Sequence, residues 1–224
     1  ILFIGKVTAQ VSHGGSPLPL TSLRSTQNIV YEQMPYFDVA EELRIDSLNE
    51  SDHRSGFRFA YKFMTNFNRS NSGNSFILED GTKVWRLGIY SPGALSINVL
   101  FSEYELPAGA KLFLYDETQT QILGSFTNEN NSELDILPVA PITGERIIIE
   151  YQEPRLAEFP GRLTVGEVNH GYRDFKGKEP EEGKESPDEI PPLSCYADSS
   201  SSYNELGHSV VLMIIDGTTG CTGT

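Results

Sequence analysis

Short apolar runs separated by turn residues fill the middle of the chain. The runs are Val84 to Tyr90, Ile97 to Phe101, Leu112 to Tyr115, Ile122 to Phe126 and Ile147 to Tyr151. Gly- and Pro-containing stretches such as Glu79-Asp80-Gly81 and Ser91-Pro92-Gly93 separate them, as turns separate strands. The pattern predicts an all-β domain of the β-sandwich or jelly-roll kind. No window of comparable length keeps a helical period, so an α/β fold is not expected.

Two further strands and a leader extend this domain. Gly56 to Phe67 alternates aromatic residues with other residues, which is typical of a half-buried strand with its aromatic face turned inward. Leu163 to Val168 predicts the last strand, and the domain is bounded at residues 56 and 173. Residues 11–55 have a weak pattern with several prolines, so we interpret them as an extended leader lying on the domain. Trp85, the only tryptophan, stands in mid-strand and is expected in the core.

The first ten residues are typical of the end of a signal peptide. An apolar run, Ile1 to Ile4, is followed by Thr8-Ala9-Gln10, and a polar stretch rich in Gly and Pro comes next. We expect cleavage near Ala9 or Gln10 and a protein that is secreted or held at the cell surface. The alternative is that Ile1 to Ile4 forms a buried first strand. No apolar run approaches the ~20 residues that a membrane span needs, so no span is expected.

The composition changes after residue 173. Residues 174–192 are mostly acidic residues, Lys, Pro and Gly, which predicts an exposed linker. Lys176, Lys178 and Lys184 lie within it and are candidate processing sites, because an exposed unstructured segment is a good substrate for proteolysis. An unprocessed spacer is the alternative that the composition leaves open.

The sequence predicts no complete active site. The net charge of −14 argues against nucleic acid as a partner, since a phosphate-binding surface needs clustered Lys and Arg. The four histidines lack metal-ligand spacing, and no cofactor motif is present. His208, Ser209 and Asp216 are the residue types of a nucleophilic triad, but Ser209 opens an apolar strand instead of standing on an exposed turn. We therefore expect no catalytic residue, metal or cofactor.

The last segment begins a second structural unit. Ser209 to Ile215 predicts a buried strand, and Asp216-Gly217 predicts a turn. Cys195 and Cys221 are the only cysteines, too few for a disulfide framework. Each could form a disulfide in the oxidising setting of an exported protein, with a partner beyond Thr224.

Several segments follow one another in an order that resembles a known family. They are residues 84–99 and 106–115, Gly124 to Thr127, Ile147 to Pro154, Val168 to Arg173, Ser194-Cys195, and Ser209 to Thr224 with Cys-Thr-Gly at 221–223. The family is that of bacterial trypsin-like serine endopeptidases of the lysyl endopeptidase type, made as precursors with a long amino-terminal propeptide. The first five segments resemble the β-rich propeptide, and the last two resemble the start of the peptidase domain.

The resemblance implies that residues 193–224 are the first strands of a truncated trypsin-like double β-barrel. Cys221 would bridge to a cysteine just after the catalytic histidine, and Cys195 to a distant cysteine, while Ser201 stands where the family usually has another cysteine. The catalytic triad would lie beyond Thr224, so this part alone would be inactive.

The resemblance also implies a role and partners. Residues 11–173 would assist folding of the chain's own peptidase domain or mask its cleft, and the full-length enzyme would act on protein or peptide substrates. A hypothesis from another class is a non-catalytic β-sandwich binding or adhesion module of an exported surface protein, whose last thirty or so residues belong to an unrelated domain.

Overall fold

The computed structural model describes residues 12–20, 29–49, 57–174 and 211–223. The helices in these ranges are α1 (Val39–Asn49) and a single 3-10 turn at Asn128–Asn130. The strands are β1 (Tyr31–Gln33), β2 (Phe57–Arg58), β3 (Ala60–Asn68), β4 (Asn74–Ile77), β5 (Lys83–Tyr90), β6 (Ser96–Glu105), β7 (Lys111–Tyr115), β8 (Ile122–Phe126), β9 (Leu137–Pro138), β10 (Ile142–Thr143), β11 (Arg146–Glu153), β12 (Arg162–Gly171), β13 (Val211–Ile215) and β14 (Thr219–Gly223).

The strands form three sheets. The first sheet has the order β1-β5-β11-β7-β8, with β4 also paired to β5. The second sheet has the order β10-β6-β12-β3, with β9 also paired to β6, and the third has the order β13-β14-β2. The pairing of β1 with β5 is parallel, and the other strand pairs are antiparallel. The prediction of an all-β fold is confirmed.

The first and second sheets share one hydrophobic core. Alternate residues of β5, β7 and β11 meet alternate residues of β6 and β12 there. The core side chains include Trp85, Leu87, Ile89, Leu112, Leu114, Ile147, Ile149 and Tyr151 from the first sheet and Ile97, Val99, Phe101, Leu163, Val165 and Val168 from the second. This is the two-residue period of strands that pack on one inner face, with one interruption in β12 where the register shifts between Val165 and Glu167. The prediction that Trp85 lies in the core is confirmed.

The first sheet is also covered on its outer face. Phe113, Tyr115 and Ile148 form a second buried cluster there, and Leu20 and Ile29 pack against it. Both faces of β11 are therefore buried, which explains its uninterrupted apolar run at residues 147–149, since strands covered on both sides do not alternate.

The interpretation of residues 11–55 as an extended leader is wrong for Val39–Asn49, which form α1. The side chain of Asp38 caps the helix by accepting hydrogen bonds from the backbone N–H groups of Ala40 and Glu41, at 3.0 and 3.3 Å. The helix is held by polar contacts instead of an apolar stripe: its buried residue Asp46 accepts from Arg58 Nε and from the Tyr172 hydroxyl, both at 2.7 Å. A search for helical apolar periodicity therefore misses it.

The aromatic strand predicted at Gly56 to Phe67 is divided in two. Phe59 stands between β2 and β3 and is fully buried, whereas Phe57 is exposed. The two parts have different partners, because β2 pairs with β14 and β3 pairs with β12. Within the described ranges, no helix combines the length and apolar character needed to cross a membrane.

The shared core predicts where truncation will cost stability. Ile149→Ala removes a fully buried side chain and should lower the free energy of unfolding by about 2–5 kcal/mol. Leu156→Ala, at a position that is 91% exposed, should change it by less than about 0.5 kcal/mol. Urea unfolding followed by the fluorescence of Trp85 measures both changes. Equal losses in the two variants would contradict the placement of Ile149 in the core.

Candidate functional site

The hairpin that follows the predicted linker is docked on the domain that precedes the linker. Strands β13 and β14 pair antiparallel and are joined by Asp216, Gly217 and Thr218. On its other side β14 pairs with β2, with Thr219 opposite Arg58 and Gly220 opposite Phe57. The carbonyl of Thr218 also accepts from the N–H groups of Phe59 and Ala60, at 2.8 and 3.3 Å. The hairpin thus completes a sheet whose third strand belongs to the other segment.

The turn of this hairpin has a conformation that its residues favour. Asp216 and Gly217 have φ angles of 53° and 70°, a left-handed region that Asp and Gly adopt more readily than other residues. A Cβ atom at Gly217 would also lie 2.4 Å from Nδ2 of Asn169, so a larger residue would force this amide to move. The sequence prediction of a turn at Asp216-Gly217 is confirmed.

A row of polar side chains on the second sheet lies beneath the turn. Asn98 of β6, Asn169 of β12 and Lys62 of β3 occupy directly opposite positions on three neighbouring strands. Asn98 Nδ2 donates to the carbonyl of Gly217 at 3.1 Å, and Lys62 Nζ contacts Oδ1 of Asp216 at 2.5 Å. We call Lys62, Asn98 and Asn169 the polar row. It contacts both backbone and side chain of the turn.

Electrostatics favour the charged form of the lysine in the polar row. Lys62 Nζ also lies 3.2 Å from a carboxylate oxygen of Glu167, so the ammonium faces two acidic groups. Partial burial by itself lowers the pKa of Lys62, but its hydrogen bonds to Asp216 and Glu167 outweigh that effect and raise it overall. Lys62 therefore stays protonated and joins the hairpin to the second sheet.

The amides of the polar row are deeply buried but incompletely bonded. Asn169 is 0% exposed, and neither atom of its side-chain amide has a hydrogen-bond partner among the described residues. The same holds for Oδ1 of Asn98. A buried polar atom without a partner costs about 1–3 kcal/mol, so this face is poorly suited to permanent burial.

A buried serine–histidine contact lies nearby and was not predicted from the sequence. The Ser91 hydroxyl and His170 Nδ1 are 2.7 Å apart, both residues are almost completely buried, and Phe37 packs edge-on against the imidazole at 4.6 Å between ring centroids. Nucleophilic catalysis needs a serine that a substrate can reach. The pair is therefore part of the packing, and no sequence motif marks it because the residues are far apart along the chain.

The predicted site residues have different outcomes. Cys221 lies in β14, where the structure describes its backbone only. Cys195, Lys176, Lys178 and Lys184 lie outside the described residues, as do His208 and Ser209. Asp216 is in the turn and pairs with Lys62. In the part of the chain that the structure describes, no group of three or more His, Cys, Asp or Glu side chains could hold a metal ion.

A shallow groove opens at another edge of the domain. It has a volume of about 420 Å³ and lies between residues 68–70 and 160–164. Two arginines line it, and both are engaged: Arg69 Nη1 donates to Glu153 Oε2 at 2.9 Å and Arg162 Nε to Glu105 Oε2 at 2.8 Å. The groove offers polar surface but no arrangement that indicates a reaction.

The sequence matches no known protein-family model.

The buried histidine predicts a pH dependence of stability. Burial lowers the pKa of His170 from 6.5 to about 4, and the negative charge of Glu145 opposes this effect. Between these two pKa values the unfolded chain binds a proton that the folded chain does not. The contribution of His170 to the free energy of unfolding is therefore complete above about pH 6.5 and is lost as the pH falls to about 4. The loss is of the order of 3 kcal/mol. Urea unfolding of the wild type and of His170→Gln at about pH 7 and about pH 4.5 should show a smaller loss in the variant.

The matched control is Ile97→Val, which removes one methyl group from the buried residue opposite His170 without changing a titratable group, and should keep the wild-type dependence on pH. An identical slope in wild type and His170→Gln would show that His170 is not the group responsible.

Proposed function

We propose that this chain is part of the precursor of a secreted trypsin-like serine endopeptidase, in which residues 11–173 act as a non-catalytic propeptide for the segment after the linker. The observation that carries the proposal is the docked hairpin. Residues 211–223 follow the linker in sequence, yet they complete a sheet with β2 and seat their turn on the polar row. Because this hairpin resembles the start of a peptidase domain, the docking would bring the peptidase domain onto its propeptide.

Backbone pairing supports a role in folding. The pairing of β14 with β2 bridges residues that are far apart in sequence, and such contacts form slowly because the connecting chain must first be closed. A domain that already holds the backbone of residues 57–60 in place offers hydrogen-bonding groups on which the hairpin can form. The unpaired N–H and C=O groups of an edge strand readily accept a further strand. The propeptide would thus act as a template for the first strands of the peptidase.

The chemistry of the polar row supports docking that can be reversed. A face that is always buried is normally apolar, because each buried amide needs a partner. Here Asn98 and Asn169 are covered with amide atoms left unbonded, whereas water would satisfy them if the turn were removed. The propeptide domain can therefore remain folded whether the hairpin turn covers the polar row or has left it, as release of a propeptide requires. The proposed release follows cleavage at Lys176, Lys178 or Lys184.

The catalytic groups are proposed to lie in the sequence that continues past Thr224. A serine peptidase needs a serine nucleophile, a histidine base, an aspartate and an oxyanion hole, and these come from both barrels. Ser91 and His170, which are in contact, are buried in the propeptide domain and are not offered for this role. In the mature enzyme, Cys195 and Cys221 would form disulfides with later cysteines.

The first experiment is expression of the precursor with the coding sequence continued past Thr224. We expect casein hydrolysis that serine-directed inhibitors abolish, and a new amino terminus between Phe175 and Cys195 after activation. If the continued sequence lacks a serine-peptidase active site and no hydrolysis occurs, the proposal is wrong. The domain would then be a binding module.

A variant pair tests the docking itself. Lys62→Ala removes the contact with Asp216, together with that to Glu167, without altering the peptidase sequence, and a partly exposed ion pair of this kind contributes up to about 1 kcal/mol. We expect the yield of active enzyme on refolding the precursor to fall by up to about fivefold. Lys111→Ala, which removes an exposed lysine from β7, should leave the yield unchanged. Equal yields from both variants would contradict a folding role for the polar row.

One observation favours the binding or adhesion module instead, namely the groove between residues 68–70 and 160–164. Its open shape and polar lining would suit a weak polar ligand. Precursor activation distinguishes the two hypotheses, because a binding module predicts neither hydrolysis nor a processed amino terminus.

A further inference from the structure

The outer face of the first sheet contains a buried ion pair. Arg86 of β5 and Glu150 of β11 lie directly opposite each other and are 2% and 0% exposed. Arg86 Nε and Nη2 both lie 2.8 Å from Glu150 Oε2. The Tyr115 hydroxyl donates to the same oxygen at 2.7 Å, and Gln152 Nε2 donates to Oε1 at 2.7 Å. Charges this deeply buried need every available hydrogen bond.

A segment of backbone from near the start of the chain completes this cluster. We call residues 12–20 the strap. The N–H of Leu18 donates to Glu150 Oε1 at 2.8 Å, and the carbonyl of the same residue accepts from Arg86 Nη2 at 3.2 Å. That carbonyl also accepts from Gln119 Nε2 at 2.9 Å. Three side chains thus bind both polar backbone groups of a single residue.

The contacts on either side of Leu18 define an extended peptide. Pro17 is buried, and Leu20 packs against the cluster of Phe113, Tyr115 and Ile148. At the other end, the backbone of residues 13 and 14 exchanges two hydrogen bonds with Ser125 at the edge strand β8, at 2.9 and 3.0 Å. Leu18 stands between two prolines, which have no N–H group, so it supplies the N–H donor in the Pro-Leu-Pro sequence.

The state of the binding groups suits peptide recognition. Burial raises the pKa of Tyr115 far above its ordinary value, and the charge of Glu150 raises it further, so the phenol remains a hydrogen-bond donor. The ion pair is fixed from below by Tyr115 and Gln152, which belong to the sheet itself. Arg86 and Glu150 are therefore held in position by the sheet and present one donor and one acceptor to whatever backbone covers them.

We propose that this face is a peptide-binding site for an extended Pro-Leu-Pro segment, occupied within the molecule by the strap. At Arg86 and Glu150 the side chains of the sheet bind the backbone of the peptide. This differs from the addition of a strand to a sheet, in which backbone binds backbone. The ligand class is an extended peptide with prolines on both sides of an N–H-bearing apolar residue. This inference does not depend on the proposed peptidase function.

The experiment uses the full chain with a protease recognition sequence inserted between Leu20 and Ile29. After folding, cleavage at the insert leaves the strap bound without a covalent link. A fluorescein-labelled peptide with the sequence of residues 12–20 is then added, and its anisotropy is measured. We expect saturable binding as the labelled peptide replaces the cleaved strap.

Two peptide variants test the mode of recognition. A peptide with Leu18→Pro lacks the N–H that Glu150 binds, and it should bind at least about tenfold more weakly. A peptide with Ser16→Ala changes an exposed residue and should bind like the original. Equal binding by both peptides would overturn the proposal.

A matched pair of protein variants separates binding from folding. Asparagine readily adopts the left-handed conformation of residue 119, which has a φ of 56°. Gln119→Asn therefore keeps the backbone but shortens the side chain that reaches the Leu18 carbonyl, and it should weaken peptide binding about threefold to tenfold. Gln121→Asn alters a neighbouring glutamine that bonds with Thr143, and should leave binding unchanged.

Unfolding of the cleaved protein, or failure of the strap to exchange with free peptide, would show that the strap is an integral part of the fold and would also overturn the proposal.

Discussion

The buried ion pair between Arg86 and Glu150 constrains how the first sheet can be covered. Two charges in the interior remain tolerable only while hydrogen bonds surround both, so the segment above them must offer a backbone donor and acceptor at the right place. An apolar helix could not do this, whereas the strap does so with the two backbone groups of Leu18. With that face closed, β11 is buried on both sides, and the inner face is free to form the core shared with the second sheet.

The outer face of the second sheet is covered by contacts of a different kind. Its polar row consists of two neutral amides and one lysine, and the turn above it leaves several amide atoms without partners. The charge contact at this interface, between Lys62 and Asp216, ends at a side chain that is 74% exposed, where water competes with it. The strap is therefore held more strongly on the first sheet than the hairpin is on the second. The strap completes a buried ion pair, while the hairpin rests on a face that water could equally well satisfy.

The sequence predicted what depends on local apolar pattern and missed what depends on contacts between distant polar groups. The runs at Val84 to Tyr90 and Ile147 to Tyr151 became β5 and β11, because alternation and turn residues are local properties. Helix α1 was missed since Asp46 and its partners Arg58 and Tyr172 hold it, and polar pairs leave no periodic signal. The polar row could not be predicted either. Asn98 and Asn169 look like ordinary strand residues until the register of β6 and β12 brings them together.

If the chain is a precursor, the covalent connection between residues 174 and 211 influences the strength of the hairpin interface. While the chain is continuous, β14 meets β2 at the high effective concentration of an intramolecular reaction, which for short linkers in general is of the order of millimolar. A few backbone hydrogen bonds and one partly exposed ion pair are enough to keep such a contact closed. Cleavage turns the same contact into an association between two molecules, which must now also offset the loss of translational and rotational freedom. Because the polar row can be solvated when open, separation then costs little on the side of the propeptide. A weak, polar and backbone-based interface is thus suited to an association that must form during folding and end after one cut.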